Sequence, residues 1–391
     1  MTVLERPAPT RQQSIASRPL VVQVVRQFLP NRGGLEDVVA NLSRQLLARG
    51  YRVRVVTCDS LFTARSVKLL RHETIDGIEV VRIPWSGSSR YPLAPQVLRQ
   101  ISDADLVHVH AIDFFFDALA WTRMWHGRPM VATTHGGFFH TPKYAAIKAL
   151  WFNSLTRASA RSYRQLVCCS NSDHRLFSRI AGDRAVLIEN GADTEKFADA
   201  ASRVPVRRIV TIGRFSENKR LERLLDVMKR LATRGESWHL DIVGSASDLS
   251  EAELHREIAE RGLRGSVSLH VSPGNDTIRD IIGKASLFAS ASEYEGFGLV
   301  AVEAMSAGLL PVLHENEAYR SLAERHRPIR LANFGDAEAA AGVLVSAYDA
   351  LVAEGSALRR QLTQEAAAYS WDSVAERYVA VYEAALAGVE R

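Results

Sequence analysis

What the chain lacks narrows its class first. No stretch of its 391 residues approaches the roughly 18 uninterrupted apolar residues that a spanning helix needs, which argues against a helical integral membrane protein. Residues 1–18 are polar, with scattered Arg and Pro, and lack the apolar run of a secretory signal, so they are expected to be disordered. Three cysteines, Cys58, Cys168 and Cys169, supply neither a disulfide framework nor a C-x-x-C metal spacing. A cytosolic scaffold without a metal is the expectation. There is also no repeat of solenoid length and no low-complexity tract.

What is present is globular. Hydrophobic residues make up 47% and charged residues 24%, and the length suits two or three domains. The net charge of +5 hides an asymmetry: residues 1–190 hold 25 Lys and Arg against 14 Asp and Glu, and the remainder holds 24 against 30. Halves of opposite sign predict two domains with different partners. The basic half suits something anionic, whether nucleic acid, a phosphorylated ligand or a membrane surface; merely solvated charge is the plain alternative.

The hydrophobic pattern gives the fold class. An apolar run at 20–25 is followed by Gly33-Gly34, a helical pattern through Val38, Val39, Leu42, Leu46 and Leu47, and a β-branched run at 53–57. Strand, glycine turn, helix and strand make a βαβ unit. Further runs at 106–110, 130–134 and 166–169 suit strands buried on both faces of a parallel sheet. A turn cluster at 189–193 reads as a linker, beyond which strands are expected at 208–212, 238–243, 267–271, 285–289 and 310–313. The chain is therefore predicted to be α/β, with two Rossmann-like doubly wound domains facing a cleft. The expected boundaries are 19–190, 191–370 and a C-terminal amphipathic helix, 371–391, crossing back to the first domain. Ligands of such sheets sit at the carboxyl ends of strands, so the residues just after each strand are the functional candidates.

Four clusters occupy such places. Gly33-Gly34 allows close backbone approach at a helix N-terminus, although a plain turn reads as well. His135 ends a strand and precedes Gly136-Gly137; a structural His is the plain alternative. Arg214 and Lys219, five apart before a helix, oppose its dipole unless an anion neutralises them, which favours a diphosphate site. Glu295 and Glu303, eight apart, flank Gly296 and Gly298, which leave room for close approach to the helix N–H groups of Gly298 and Leu299. Asp103-Ala104-Asp105 has a D-x-D spacing but precedes its strand, at the wrong end for a ligand, so capping or solvation is expected. Residues 118–172 carry seven Lys and Arg, no Asp or Glu and eight aromatics. On a helix starting near Lys143, residues Tyr144, Ile147, Trp151 and Leu155 would share one face, with Arg157, Arg161 and Arg164 roughly opposite. Such a helix suits an anionic membrane, or else has one face in the core and a wet basic face.

Together these clusters resemble the retaining glycosyltransferases of GT-B architecture, family 4. The most specific element is the E-x(7)-E pair, Glu295 and Glu303, within Ser-Glu-Tyr-Glu-Gly-Phe-Gly-Leu. Gly213-Arg214-Phe215 with Lys219, the 189–193 turn and Gly33-Gly34 support it, and the resemblance spans the chain from about residue 20 to the C-terminal helix. Within the family the chain is most similar to bacterial exopolysaccharide α-mannosyltransferases of the acetan and xanthan type. The resemblance implies that Arg214 and Lys219 hold a donor diphosphate, Glu303 the ribose, and Glu295 with the backbone of Phe297, Gly298 and Leu299 the sugar. It implies that His135 reaches the transferred sugar, that Gly34 approaches the diphosphate and that Ser170 lines the cleft. It further implies GDP-mannose as donor, no metal cofactor, a polyprenyl-diphosphate-linked acceptor, no nucleic acid, and a cytoplasmic enzyme peripheral on the inner face of the membrane. Lys143, Trp151, Arg157, Arg161 and Arg164 are the candidate membrane or acceptor contacts. The chain departs from the family pattern at 314–318, so specificity contacts are not carried over there. The alternatives are a UDP-sugar donor, an epimerase or a non-catalytic sugar-nucleotide-binding module.

Overall fold

The computed structural model describes residues 18–31, 33–136, 149–235 and 237–387. The chain divides into two compact units, one comprising Met1–Ile188 with Ala375–Arg391 and the other Glu189–Val374.

In the first unit, eight strands form one sheet: β1 (Leu20–Val24), β2 (Arg52–Cys58), β3 (His72–Ile75), β4 (Ile78–Ile83), β5 (Leu106–His110), β6 (Met130–Thr133), β7 (Gln165–Cys168) and β8 (Ala185–Leu187). Their order is β8-β7-β6-β5-β1-β2-β4-β3. Every pairing is parallel except β3 with β4 at the edge. The apolar runs of β1 and β5 are buried at every position, as a sheet covered on both faces requires. Helix α1 (Gly34–Ala48) follows β1 and packs Val38, Val39, Leu42 and Leu46 inward. Gly50, at φ +85, turns the chain after it.

The antiparallel edge, with the small ribbons Ser60–Leu61/Ala64–Lys68 and Ser86–Ser88/Tyr91–Leu93, modifies the purely doubly wound expectation. Within 59–105 the strand at 64–68 is largely exposed, and the buried strand β4 is interrupted in sequence by Glu79 and Arg82. That is why the apolar pattern passes over them.

In the second unit, six parallel strands are ordered β11-β10-β9-β12-β13-β14: β9 (Arg208–Ile212), β10 (His239–Gly244), β11 (Val267–Val271), β12 (Leu287–Ser290), β13 (Leu310–His314) and β14 (Arg330–Ala332). The strand order reverses between β9 and β12, which makes the loops after these two strands the ligand-facing switch point. Close backbone approach is built in here: a Cβ on Gly244 would lie 1.7 Å from the carbonyl oxygen of Gly213. Helix α2 (Leu221–Thr233) follows β9, and helix α3 (Leu299–Ala307) follows β12, its buried Ala301, Ala304 and Ala307 giving close packing. The last helix, α4 (Trp371–Ala387), starts in the second unit and continues in the first, where Tyr378 and Tyr382 are buried.

Candidate functional site

The switch point of the second unit brings two of the sequence candidates into contact. Lys219 sits in a single 3-10 turn, Glu217–Lys219, after β9, and its Nζ lies 2.6 Å from Oε1 of Glu295 after β12. Both side chains are largely buried. The stem of Lys219 passes over Gly213, where an added Cβ would stand 3.2 Å from Cε. Tyr319 supports the pair from below: its hydroxyl donates to Ser290 Oγ at 2.9 Å and lies 3.3 Å from Glu295 Oε1. Asn316 locks the same loop, donating to the Ser292 carbonyl and capping the helix that carries Tyr319. The segment at 314–318, where the chain departs from the family pattern, therefore buttresses Glu295.

Arg214 lines the same depression as Lys219, with Thr211, Ile242 and Ser290, but its side chain is exposed. The dipole argument for an external anion needs correction at Lys219, since a protein carboxylate already neutralises it. Arg220 and Arg223 at the start of α2 are likewise answered by Glu293.

Gly298 caps α3 at φ +88, and a Cβ there would meet the Tyr319 ring at 2.7 Å, so glycine is required on both counts. Gly296 faces open space. The N–H groups of Leu299 and Val300, ahead of the first bond from Ala301 to the Gly298 carbonyl, lack carbonyl partners within the helix by geometry, as an anion-binding end requires. Phe297 points its ring into the unit, 5.6 Å from that of Tyr369. Only its backbone is therefore available to a ligand. Glu303 lies in the second turn of α3. Burial raises its carboxyl to about 7, against the pull of Lys196 and of a backbone hydrogen bond at Asp193.

His135, Gly34 and Ser170 belong to the first unit. His135 takes a left-handed backbone conformation, φ +53, directly after β6. Its Nε2 is 2.8 Å from Nδ1 of His110, and burial lowers its pKa to about 3. Asp173 clamps the loop on either side of it, accepting from Thr134 Oγ1 at 2.6 Å and from the Gly136 N–H at 2.9 Å. Ser170 caps the helix Asn171–Ala181, its Oγ accepting from the Asp173 N–H, so its observed contact is structural. Gly34 opens α1 with nothing within 4 Å of where a Cβ would stand, while the space beside Gly33 is taken by the Glu36 carboxylate at 2.6 Å.

Sequence reasoning missed Asp173, Tyr319, Asn316 and the buried histidines His108 and His110. The Ser170-x-x-Asp173 spacing of a helix start was the available signal for the first. His108 and His110, at alternate positions of a strand otherwise made of Leu and Val, were the signal for the last. Asp103 and Asp105 hold Arg54 and the Leu20 N–H, as the structural reading of D-x-D expected.

The basic aromatic segment needs a larger correction. Lys143, Tyr144, Ile147 and the stretch 137–139 lie outside the described residues. A π-helical turn, Phe152–Thr156, precedes the helix Arg157–Ala160 and shifts the register. The buried face is Phe152, Thr156, Ser159, Ala160 and Tyr163, whereas Trp151 is exposed and Leu155 only partly covered. Arg157 and Arg161 are exposed, but Arg164 follows the helix and is partly buried just before β7. A second exposed apolar group adjoins the segment: Trp121 donates to Ser159 Oγ, and Met124 and Trp125 are 95% and 84% exposed. Among the described residues no single helix is long and apolar enough to cross a membrane.

The similarity to known proteins runs across both units. The family model of Glycosyltransferase Family 4 matches residues 32–196, and that of Glycosyl transferases group 1 matches residues 192–366. A relative from Xanthomonas campestris, a GDP-mannose:cellobiosyl-diphosphopolyprenol alpha-mannosyltransferase, is 43% identical over 94% of this chain and 97% of its own. One of the same description from Komagataeibacter xylinus is 41% identical over 94% of this chain and 93% of its own. Among solved structures, a glycosyltransferase from Rickettsia africae superposes with a TM-score of 0.73 at 17% identity, covering 95% of this chain and 99% of that one. The parallel sheets, the Lys219–Glu295 switch-point pair and these likenesses agree: the chain belongs to glycosyltransferase family 4 and is a glycosyltransferase of GT-B fold.

Proposed function

We propose that this enzyme transfers mannose from GDP-mannose to a polyprenyl-diphosphate-linked oligosaccharide, of cellobiose type, in exopolysaccharide biosynthesis, with retention at the anomeric carbon. The observation that carries this reading is the 41–43% identity, across both units, to mannosyltransferases described by that reaction. The charge at the switch point agrees with it. When the bond from the anomeric carbon to the phosphate oxygen breaks, GDP leaves with added negative charge, which Lys219, Arg214 and the α3 N–H groups stabilise. The acceptor hydroxyl forms the new bond on the face the phosphate leaves, and its proton passes to the departing phosphate oxygen. Glu295, with the backbone of Phe297, Gly298 and Leu299, holds the mannosyl hydroxyls, and Glu303 the ribose. Gly34 allows close approach to the diphosphate. Because fixed cations serve the leaving group, the reaction is proposed to need no metal.

The acceptor lipid places the enzyme at the inner face of the cytoplasmic membrane. Exposed Trp125, Met124, Leu150 and Trp151, beside Arg157 and Arg161, support that contact. No nucleic acid partner is proposed. The test supplies labelled GDP-mannose and a polyprenyl-diphosphate cellobiose with a chelator present. A labelled lipid trisaccharide is expected. Transfer from a UDP-sugar but not GDP-mannose would overturn the donor, a need for added divalent ion the metal-free reaction, and tight nucleotide binding without turnover the enzymatic role.

A further inference from the structure

A buried polar chain crosses the middle strands of the first unit. Gln23 of β1, His108 and His110 of β5 and Thr133 of β6 are neighbours in register and fully buried, as are Tyr378 and Tyr382 of α4. Gln23 Oε1 lies 2.6 Å from His110 Nε2, and His110 Nδ1 lies 2.8 Å from His135 Nε2. In the other direction, Gln23 Nε2 donates to the Tyr382 hydroxyl at 3.3 Å. That hydroxyl meets His108 Nδ1 at 2.7 Å, and His108 Nε2 meets Thr133 Oγ1 at 2.7 Å.

The direction of the protons from Gln23 through His110 to His135 is set by the Gln23 amide. With its oxygen toward His110, the 2.6 Å contact is a short N–H···O bond and the 3.3 Å contact to Tyr382 a long N–H···O bond. Turned over, the same atoms would require an N–H···N bond of 2.6 Å, shorter than such bonds run. His110 therefore carries its proton on Nε2. Burial lowers the pKa of His110, keeping the ring neutral, so its Nδ1 is an acceptor and must receive a proton from His135.

We propose that His110, oriented by Gln23, is a positioning residue that fixes His135 in the tautomer protonated on Nε2, leaving Nδ1 bare as a hydrogen-bond acceptor for a sugar hydroxyl. This rests on the reading above that His135 reaches the transferred sugar. It deepens that reading by naming the partner chemistry. A bare nitrogen accepts from a hydroxyl and cannot donate to a phosphate oxygen, so His135 sorts with the sugar and not with the leaving group. Asp173 completes the arrangement by accepting from the Thr134 hydroxyl on one side of the ring and the Gly136 N–H on the other. Tyr382 ties the orientation of Gln23 to the C-terminal helix.

The test is a long-range proton–nitrogen correlation spectrum of the full-length enzyme with 15N-labelled histidine, His135 being assigned by loss of its signals in His135→Asn. The expected result is a protonated Nε2 and a bare Nδ1. In His110→Phe the tautomers should mix and kcat should fall about tenfold, the worth of one hydrogen bond, with the donor KM within about twofold. In His110→Asn, whose amide oxygen stands where Nδ1 stood, the tautomer and most of kcat should be kept. A wild-type proton on Nδ1 overturns the proposal without any variant. So does a fall in kcat in both variants with the tautomer unmoved, or no change in His110→Phe. The wild-type spectrum needs no substrate, so its outcome is separate from that of the GDP-mannose assay.

Discussion

Lys219 and Glu295 come from loops 76 positions apart, yet their charged atoms stand 2.6 Å from each other. They meet because β9 and β12 are adjacent strands of opposite winding, so both following loops open at one edge of the sheet. In this arrangement Lys219 is held by an internal carboxylate, and the proposed function requires the donor diphosphate to draw the ammonium away. Glu295 is then free to accept sugar hydroxyls. Lys219→Ala should lower kcat by about 10²–10³-fold, the usual cost of removing one preorganised donor to a leaving oxygen. Thermal stability should fall as well, since the loss strands the largely buried Glu295 carboxylate. Steady-state kinetics beside a melting curve checks both, and a large fall in melting temperature with kcat unchanged would refute the assignment.

Tyr319 makes a second test of the same loop. Tyr319→Phe keeps the ring that packs against Gly298 but removes the hydroxyl between Ser290 and Glu295. The donor KM should rise severalfold, with a stability loss of about 1 kcal/mol for one buried hydrogen bond. Steady-state kinetics with varied GDP-mannose would measure the first, denaturant unfolding the second.

Glu303 has a pKa raised to about 7 by burial, from an ordinary 4.5. On the proposed ribose contact, its ionised form would accept from two hydroxyls and its protonated form from fewer. The donor KM should therefore rise as the pH falls from about 8 to about 6, and Glu303→Gln should give a flat, weaker profile. The stability sign is opposite to that of an ordinary carboxylate. The native protein binds the proton more tightly than the unfolded chain, so this contribution is full below 4.5 and lost as the pH rises through 7. Glu303→Gln should thus gain in relative stability across that window, which melting temperatures at matched pH values would record.

How much of this was legible from the sequence depended on whether a property is local. Strand runs such as 106–110 and 208–212, and the helix of 371–387, are written in short apolar patterns, and the structure places them within a residue or two. The Glu295 and Glu303 loop could be recognised because its glycines and acids lie together. The Asp173 clamp, the Tyr319 support and the His108–His110 chain could not, since each joins residues distant in sequence through the sheet order. The aromatic basic segment was legible only in part: Arg157 and Arg161 are exposed as the periodicity expects, but Trp151 is exposed beside a buried Phe152, and the π-helical turn at Phe152–Thr156 departs from the period of about 3.6 that would place Leu155 inside.

The acid limit of stability should be set in part by Asp241. Its side chain is fully buried in β10, 2.6 Å from Arg208 Nε and 2.9 Å from His270 Nε2, forming a ladder across three strands. Burial alone would raise its pKa, but the hydrogen bonds from Arg208 and His270 outweigh that and leave it below 3.8. Its contribution is therefore present above that value and is lost as the pH falls through the lower native one. Asp241→Ala strands Arg208 and should cost about 3–5 kcal/mol, the penalty for removing one partner of a buried pair. Chemical denaturation at neutral pH measures that loss, and a variant as stable as the parent would show the ladder to be dispensable.

The proposed membrane contact can be separated from catalysis through one group of exposed apolar side chains. Leu150, Trp151, Met124 and Trp125 are 71%, 45%, 95% and 84% exposed, so burying them in a lipid interface removes apolar area that the fold leaves in water. Arg157 and Arg161 add attraction to anionic lipid, on the order of 1 kcal/mol each and weakened by salt. Met124→Ser with Trp125→Ser should release the enzyme from anionic vesicles at all salt concentrations. Arg157→Gln with Arg161→Gln should release it mainly at low salt, where the charge contribution is largest. Neither pair should change kcat on a short-chain, water-soluble acceptor. Co-sedimentation measured against sodium chloride distinguishes the two contributions, and binding unaffected by either pair would place the membrane contact elsewhere on the chain.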